Sequence, residues 1–95
     1  GFDMDFARHV AEANAVTSLI AARAWLNKSF ENAIQFFSTR NEAELSTPLP
    51  EGPVMGGAPI ASVAGAIVEH TAHHRGALTV YSRLLGKVPP MPYGD

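Results

Sequence analysis

The chain has 95 residues and no cysteine, so we expect one small domain without disulfide bonds or thiolate chemistry. Its 46% of apolar and 17% of charged residues are typical of a folded globular protein, and the lack of cysteine suits a cytoplasmic one. The net charge is −2, and the seven basic residues are spread along the chain without the concentrated basic surface that nucleic acids require. The longest nearly apolar run, 56–68, is too short to span a bilayer. We therefore expect neither nucleic-acid binding nor a membrane span.

The first predicted element is a long helix over about residues 4–38. Asp3 or Asp5 could cap it, because a carboxylate at that position accepts a backbone N–H and complements the helix dipole. No proline or glycine interrupts the segment between residues 3 and 47. Apolar residues recur in steps of three and four, as on one face of a helix, at Phe6, Val10, Ala13, Val16, Ile20, Leu26, Phe30, Ile34 and Phe37.

A short helical turn over residues 40–46 and a loop over 47–58 are predicted next. Thr39 with Glu42, and Asn41 with Glu44, have the spacing of a capping box, in which two side chains bond each other's backbone N–H groups. Residues 47–57 contain three prolines and three glycines, which exclude helix. Composition leaves open whether this segment is an ordered loop or a linker.

The second long helix is predicted over about residues 59–85. Pro59 suits its first turn, where a missing N–H costs no hydrogen bond. Gly86 is expected to end the helix in a left-handed conformation, and Pro89 and Pro90 prevent continuation. One face carries the residues spaced by three and four, namely Ile60, Ala64, Ile67, Thr71, His74, Leu78, Tyr81 and Leu85.

The predicted fold class is all-α, with the two long helices as an antiparallel pair. Both helices are apolar over a wide arc, and a wide arc requires more than one neighbouring helix. We expect the chain to dimerise into a four-helix assembly; the alternative is that other chain segments complete the bundle.

His70 and His74 are the candidate metal ligands. Four residues apart on a helix, their side chains share one face with Cβ atoms about 5–6 Å apart, so that two imidazoles can reach one ion at about 2.0–2.1 Å. Histidines at this spacing are also common as unrelated surface residues. Their place on the apolar face favours a site, because inward-facing imidazoles need polar partners. His73 lies about 100° from His74 around the helix axis and is not expected to share the ion.

A third ligand is needed, since a catalytic zinc-type site usually has three protein ligands and one open position. Spacing does not identify it. The candidates within the chain are His9, Glu42, Glu44 and Glu51, and a residue of a partner chain is the alternative.

Residues 67–93 resemble the last helix of the DinB/YfiT-like family. That family's signature is H-x-x-H-H-R-G-x-L, followed by a Tyr/Leu-rich stretch and Leu-Gly-x-x-Pro-Pro. The preceding segment, including residues 41–48, is similar more loosely. Ten positions agree between residues 70 and 90 without a gap, namely His70, His73, His74, Arg75, Gly76, Leu78, Leu85, Gly86, Pro89 and Pro90.

The resemblance implies a four-helix bundle in which three histidines hold a divalent ion, with nickel and zinc as the first candidates. His70 and His74 match two of these ligands, whereas the family's third comes from an earlier helix. The chain would then be the C-terminal half of the bundle, without its first two helices. A homodimer could supply the missing ligand from the helix that carries His9, or four histidines of two copies could share one ion.

Two functions remain open. The first is that of a metal-dependent enzyme on a small-molecule substrate, a thiol transferase or hydrolase-like protein as the resemblance implies. The second is a non-catalytic helical dimerisation module with a structural or vestigial histidine pair. An enzyme would keep an open coordination position beside His70 and His74, whereas a structural module would bury them.

Overall fold

The chain is all-α, as the sequence predicts, in a computed structural model that describes residues 3–91. In chain order the helices are α1 (Phe6–Asn14), α2 (Leu19–Ser38), α3 (Glu42–Leu45) and α4 (Ser62–Leu84). The chain divides into two compact units, one ending at Ser62 and the other beginning at Val63. The first unit therefore holds α1 to α3 and the loop after them, and the second holds α4 and the residues that follow it.

Asp5 caps α1, so the helix begins at one of the two predicted carboxylates. The Asp5 side chain accepts a hydrogen bond of 3.0 Å from the amide of Arg8. The Arg8 guanidinium forms ion pairs with Asp3 and, one turn further along, with Glu12. No residue of α1 is buried, so local polar contacts define the start of this helix.

The prediction of one continuous helix over residues 4–38 is wrong, because the helix breaks between α1 and α2. The amide of Val16 donates to the carbonyl of Ala13, three residues back, so the last turn of α1 tightens. Ser18 is extended (φ −122°, ψ 150°), and its hydroxyl accepts a hydrogen bond of 3.1 Å from the amide of Ala21. A serine that caps a new helix competes with continuation of the old one.

The capping box predicted at Asn41 and Glu44 is confirmed at the start of α3. The Asn41 side chain accepts from the Glu44 amide at 2.8 Å, and the Asn41 amide donates to the Glu44 carboxylate at 3.3 Å. The helix itself is a single turn inside the predicted range of 40–46.

The segment between α3 and α4 is an ordered loop, which settles the alternative that composition left open. The Leu49 amide donates to the carbonyl of Ala58 at 2.8 Å, and the Leu49 carbonyl accepts from Gly57 at 3.1 Å. An antiparallel bridge pairs Pro48 with Pro59 beside these bonds. Gly57 has φ +79°, a conformation that L side chains rarely adopt. Leu49 is 5% exposed and is the buried apolar side chain around which the loop closes.

The helix α4 begins at Ser62, three residues later than predicted. The amide of Ile60 donates to the carbonyl of Thr47 at 2.9 Å, so this amide completes the loop instead of facing the helix start. Pro59 belongs to the loop bridge for the same reason, and its carbonyl accepts from Ser62 at 2.9 Å.

The predicted glycine cap at the end of α4 is confirmed. Gly86 has φ +81°, its amide donates to Arg83 at 2.9 Å, and the Lys87 amide donates to Ser82 at 3.0 Å. This pair of bonds is a Schellman motif, which satisfies carbonyls that the end of the helix would otherwise leave free.

The apolar faces of the helices are uncovered. No helix contains a fully buried residue, and Leu49 is the one buried apolar side chain among residues 3–91. Large apolar side chains stand exposed on both long helices, including Ile20, Leu26, Ile34, Leu78, Tyr81 and Leu84. This is the pattern expected of helices that require further neighbours.

Among residues 3–91, no helix combines the length and the apolar character that crossing a membrane requires.

Candidate metal centre

The helix α4 brings His70 and His74 into direct contact. Their Nε2 atoms are 3.0 Å apart, and their ring centroids are 4.5 Å apart with an angle of 80° between the ring planes. The predicted placement of both side chains on one face of the helix is confirmed. The two nitrogens are within hydrogen-bond distance of each other.

Two kinds of chemistry suit a nitrogen pair at this distance. One is a hydrogen bond between neutral rings, in which one Nε2–H donates and the other Nε2 accepts. The other is coordination of one ion by both nitrogens. Two ligands at about 2.0–2.1 Å from a shared metal must lie within roughly 4.1 Å of each other, and the observed 3.0 Å meets that condition. The donor set therefore fits a divalent ion of the kind that imidazoles bind.

Both rings are exposed, which differs from the inward orientation expected from the apolar stripe. Leu78 and Tyr81 lie on the same stripe and are each 65% exposed. The sequence pattern places both histidines on this stripe, but spacing does not determine whether a stripe is buried. An unpaired imidazole nitrogen costs free energy only where it is buried. The exposed pair has no such cost unless another surface covers it.

His73 is part of the same histidine cluster. Its ring centroid is 5.2 Å from that of His74 and 6.2 Å from that of His70. Its direction around the helix axis differs from that of His74 by about 100°, but its spacing of three residues from His70 brings these two rings near each other. Three imidazoles therefore share one surface of α4, two of them in direct contact.

The part of the chain described, residues 3–91, contains no group of three or more histidine, aspartate or glutamate side chains that could hold a metal ion. His9 is occupied locally: its Nε2–H donates to the carbonyl of Asp3 at 2.9 Å, and its Nδ1 lies 3.9 Å from the Glu12 carboxylate. Glu44 serves the capping box of α3.

A family model described as DinB family matches residues 9–95. The match begins within α1 and includes α2, α3 and α4, so it extends well beyond the segment 67–93 that carried the resemblance. No curated protein and no solved structure matches the chain.

Proposed function

We propose that this chain, which belongs to the DinB family, binds a divalent metal ion through His70 and His74. The observation that carries the proposal is the convergence of their two exposed Nε2 atoms to 3.0 Å. Imidazole nitrogen suits both nickel and zinc, and both are candidates. A third ligand, from His9 or from a partner chain, is part of the proposal.

If the protein is an enzyme, we propose a metal-dependent thiol transferase or hydrolase-like protein. It would act in the cytoplasm on a small-molecule substrate. A bound divalent ion acts as a Lewis acid and polarises a thiol, a carbonyl or a water molecule. His70 and His74 would hold that ion, and their exposure leaves room beside them for a substrate. No carboxylate or hydroxyl of the sequence is assigned as a general base, so the reaction is proposed only as a class.

A second candidate function is that of a non-catalytic helical association module. The exposed apolar side chains of α2 and α4 favour it, because large uncovered apolar patches mark interaction surfaces. In this case the contact between His70 and His74 is the hydrogen bond of a structural pair. The two functions differ in whether the pair holds a metal ion.

Metal analysis of the purified 95-residue chain tests the proposal. After purification without chelators and incubation with zinc or nickel, we expect a stoichiometric amount of metal to remain through gel filtration. His70→Ala and His74→Ala should each lose most of it, because a single imidazole binds a divalent ion weakly. His73→Ala is the matched control on the same helix and should retain it.

A wild-type chain that holds less than roughly 0.1 equivalent of metal would overturn the proposal. So would retention of the same amount by His74→Ala. Either result would favour the association module.

A further inference from the structure

We propose that the segment before α1 positions His9 as a metal ligand. The backbone carbonyl of Asp3 holds the Nε2–H of the His9 ring, so that Nδ1 is the nitrogen that binds the divalent ion. This inference rests on the proposed function, in which His9 is one candidate for the third ligand. It adds the coordinating atom, and it names Asp3 as a positioning residue that lies outside the residues matched by the family model.

The tautomer of the His9 ring follows from its hydrogen bond to Asp3. The Nε2 atom of His9 lies 2.9 Å from the backbone carbonyl oxygen of Asp3. A carbonyl oxygen only accepts hydrogen bonds, so the hydrogen is on Nε2, and a neutral imidazole has a single N–H. The lone pair that a metal ion needs is therefore on Nδ1. Histidines that bind metal ions commonly have this arrangement, in which the other ring nitrogen donates to a carbonyl or a carboxylate.

The Asp3 carbonyl is itself held in place by the start of α1. The Asp3 side chain accepts a hydrogen bond of 2.9 Å from the amide of Asp5 and forms an ion pair with the Arg8 guanidinium. The rings of Phe6 and His9 also pack edge to face, with their centroids 6.1 Å apart. The His9 ring is therefore oriented before an ion binds, which reduces the entropy that coordination would otherwise cost.

The bond to Asp3 occupies one ring nitrogen of His9 and leaves the other available. The His9 side chain is 40% exposed, so the ring is restrained by its neighbours but open to an ion from solvent.

The charges beside Nδ1 favour a cation. The Oε2 atom of Glu12 lies 3.9 Å from Nδ1 of His9, whereas the Oε1 atom of the same carboxylate accepts from Arg8 at 2.6 Å. The single positive charge of Arg8 faces two carboxylates, those of Asp3 and Glu12. One negative charge therefore remains uncompensated among these three groups, and it attracts a divalent ion to the lone pair of Nδ1.

Nuclear magnetic resonance of the histidine side-chain nitrogens in the whole 95-residue chain tests the inference, with zinc as the probe. At about pH 8, where histidines are ordinarily neutral, we expect the hydrogen of the His9 ring to be on Nε2 before zinc is added. At saturation the coordination shift should occur at Nδ1 of His9, whereas His70 and His74 should shift at Nε2. The variant His9→Gln identifies the His9 signals.

Two substitutions of Asp3 separate positioning from charge. Asp3→Ala removes the acceptor for the Asp5 amide and the partner of Arg8, so zinc affinity should fall roughly tenfold, as when the outer partner of a ligand is lost. Asp3→Asn also removes the charge but retains an oxygen for the Asp5 amide, and it should lose clearly less. Glu31→Ala is the matched control on α2, because it removes a carboxylate that lies 3.8 Å from Lys28. It should leave zinc affinity unchanged.

The outcomes distinguish this inference from the proposed function. A coordination shift at Nε2 of His9, or none at His9 while His70 and His74 shift together, overturns the inference and leaves metal binding by the pair intact. Equal losses of zinc affinity in Asp3→Ala and Asp3→Asn overturn the positioning role of Asp3, because the lost charge would then explain both. If the chain binds no zinc, both proposals are overturned.

Discussion

At the scale of single residues, the histidine pair shows what spacing can establish. Two histidines four apart on a helix must share a face, and the Nε2 atoms of His70 and His74 do meet at 3.0 Å. Spacing could not establish whether the two side chains are exposed. Their burial depends on which other parts of the structure pack against that face of the helix. Spacing also does not give the distance between the His73 and His74 rings, which are 5.2 Å apart although their directions differ by about 100° around the helix axis.

Substitution of Gly86 tests most directly whether α4 ends in the Schellman motif. Its φ of +81° is costly for a residue with a Cβ atom, so Gly86→Ala should lower the free energy of unfolding by about 1 kcal/mol. Urea denaturation followed by far-ultraviolet circular dichroism measures this change. Gly86→Asn should lose less, since asparagine tolerates the left-handed conformation. An unchanged or increased stability of Gly86→Ala would show that α4 does not end in this motif.

At the scale of elements, the sequence predicted helix ends better than helix continuity. The caps at Asp5, at Asn41 with Glu44, and at Gly86 are formed by the residues expected to form them. Each cap depends on contacts within about five residues, which a local pattern contains. The break before α2 was missed because the apolar spacing continues through it, and Ser18 fits either a helix interior or a cap.

Substitution of Ser18 tests the break between α1 and α2, because the two arrangements predict opposite changes in stability. The Ser18 hydroxyl accepts from the amide of Ala21, so Ser18→Ala should destabilise the chain by about 1 kcal/mol. In a continuous helix over residues 4–38 the same substitution would be stabilising, because alanine has the higher helix propensity. Ser18→Asp, which retains a capping oxygen, should remain close to the wild type in thermal unfolding followed by circular dichroism.

The structure of the loop between α3 and α4 could be predicted only in part from the local sequence. Its prolines and glycines excluded helix correctly, but its order comes from pairings such as Leu49 with Ala58 and Thr47 with Ile60. These partners are nine and thirteen residues apart. Composition carries no information on which amide meets which carbonyl over such a distance.

At the scale of the whole molecule, the fold class and the family were predictable and the completion of the core was not. Residues 9–95 match the DinB family, and ten positions of α4 and its C-terminal extension already carried the resemblance. The exposed apolar faces of α2 and α4 require further neighbours. Which surfaces cover them depends on long-range contacts, for which a single sequence contains no direct signal.

The central claim is that the Nε2 atoms of His70 and His74 coordinate the same ion. Nuclear magnetic resonance of the histidine side-chain nitrogens during a zinc titration tests it most directly, because each imidazole nitrogen is observed separately. We predict that the Nε2 signals of His70 and His74 undergo the large shift of direct coordination together and saturate at the same zinc concentration. The signals of His73 should show no such shift. A coordination shift at His73 in place of His70 or His74, or no shift at either residue of the pair, would contradict the account.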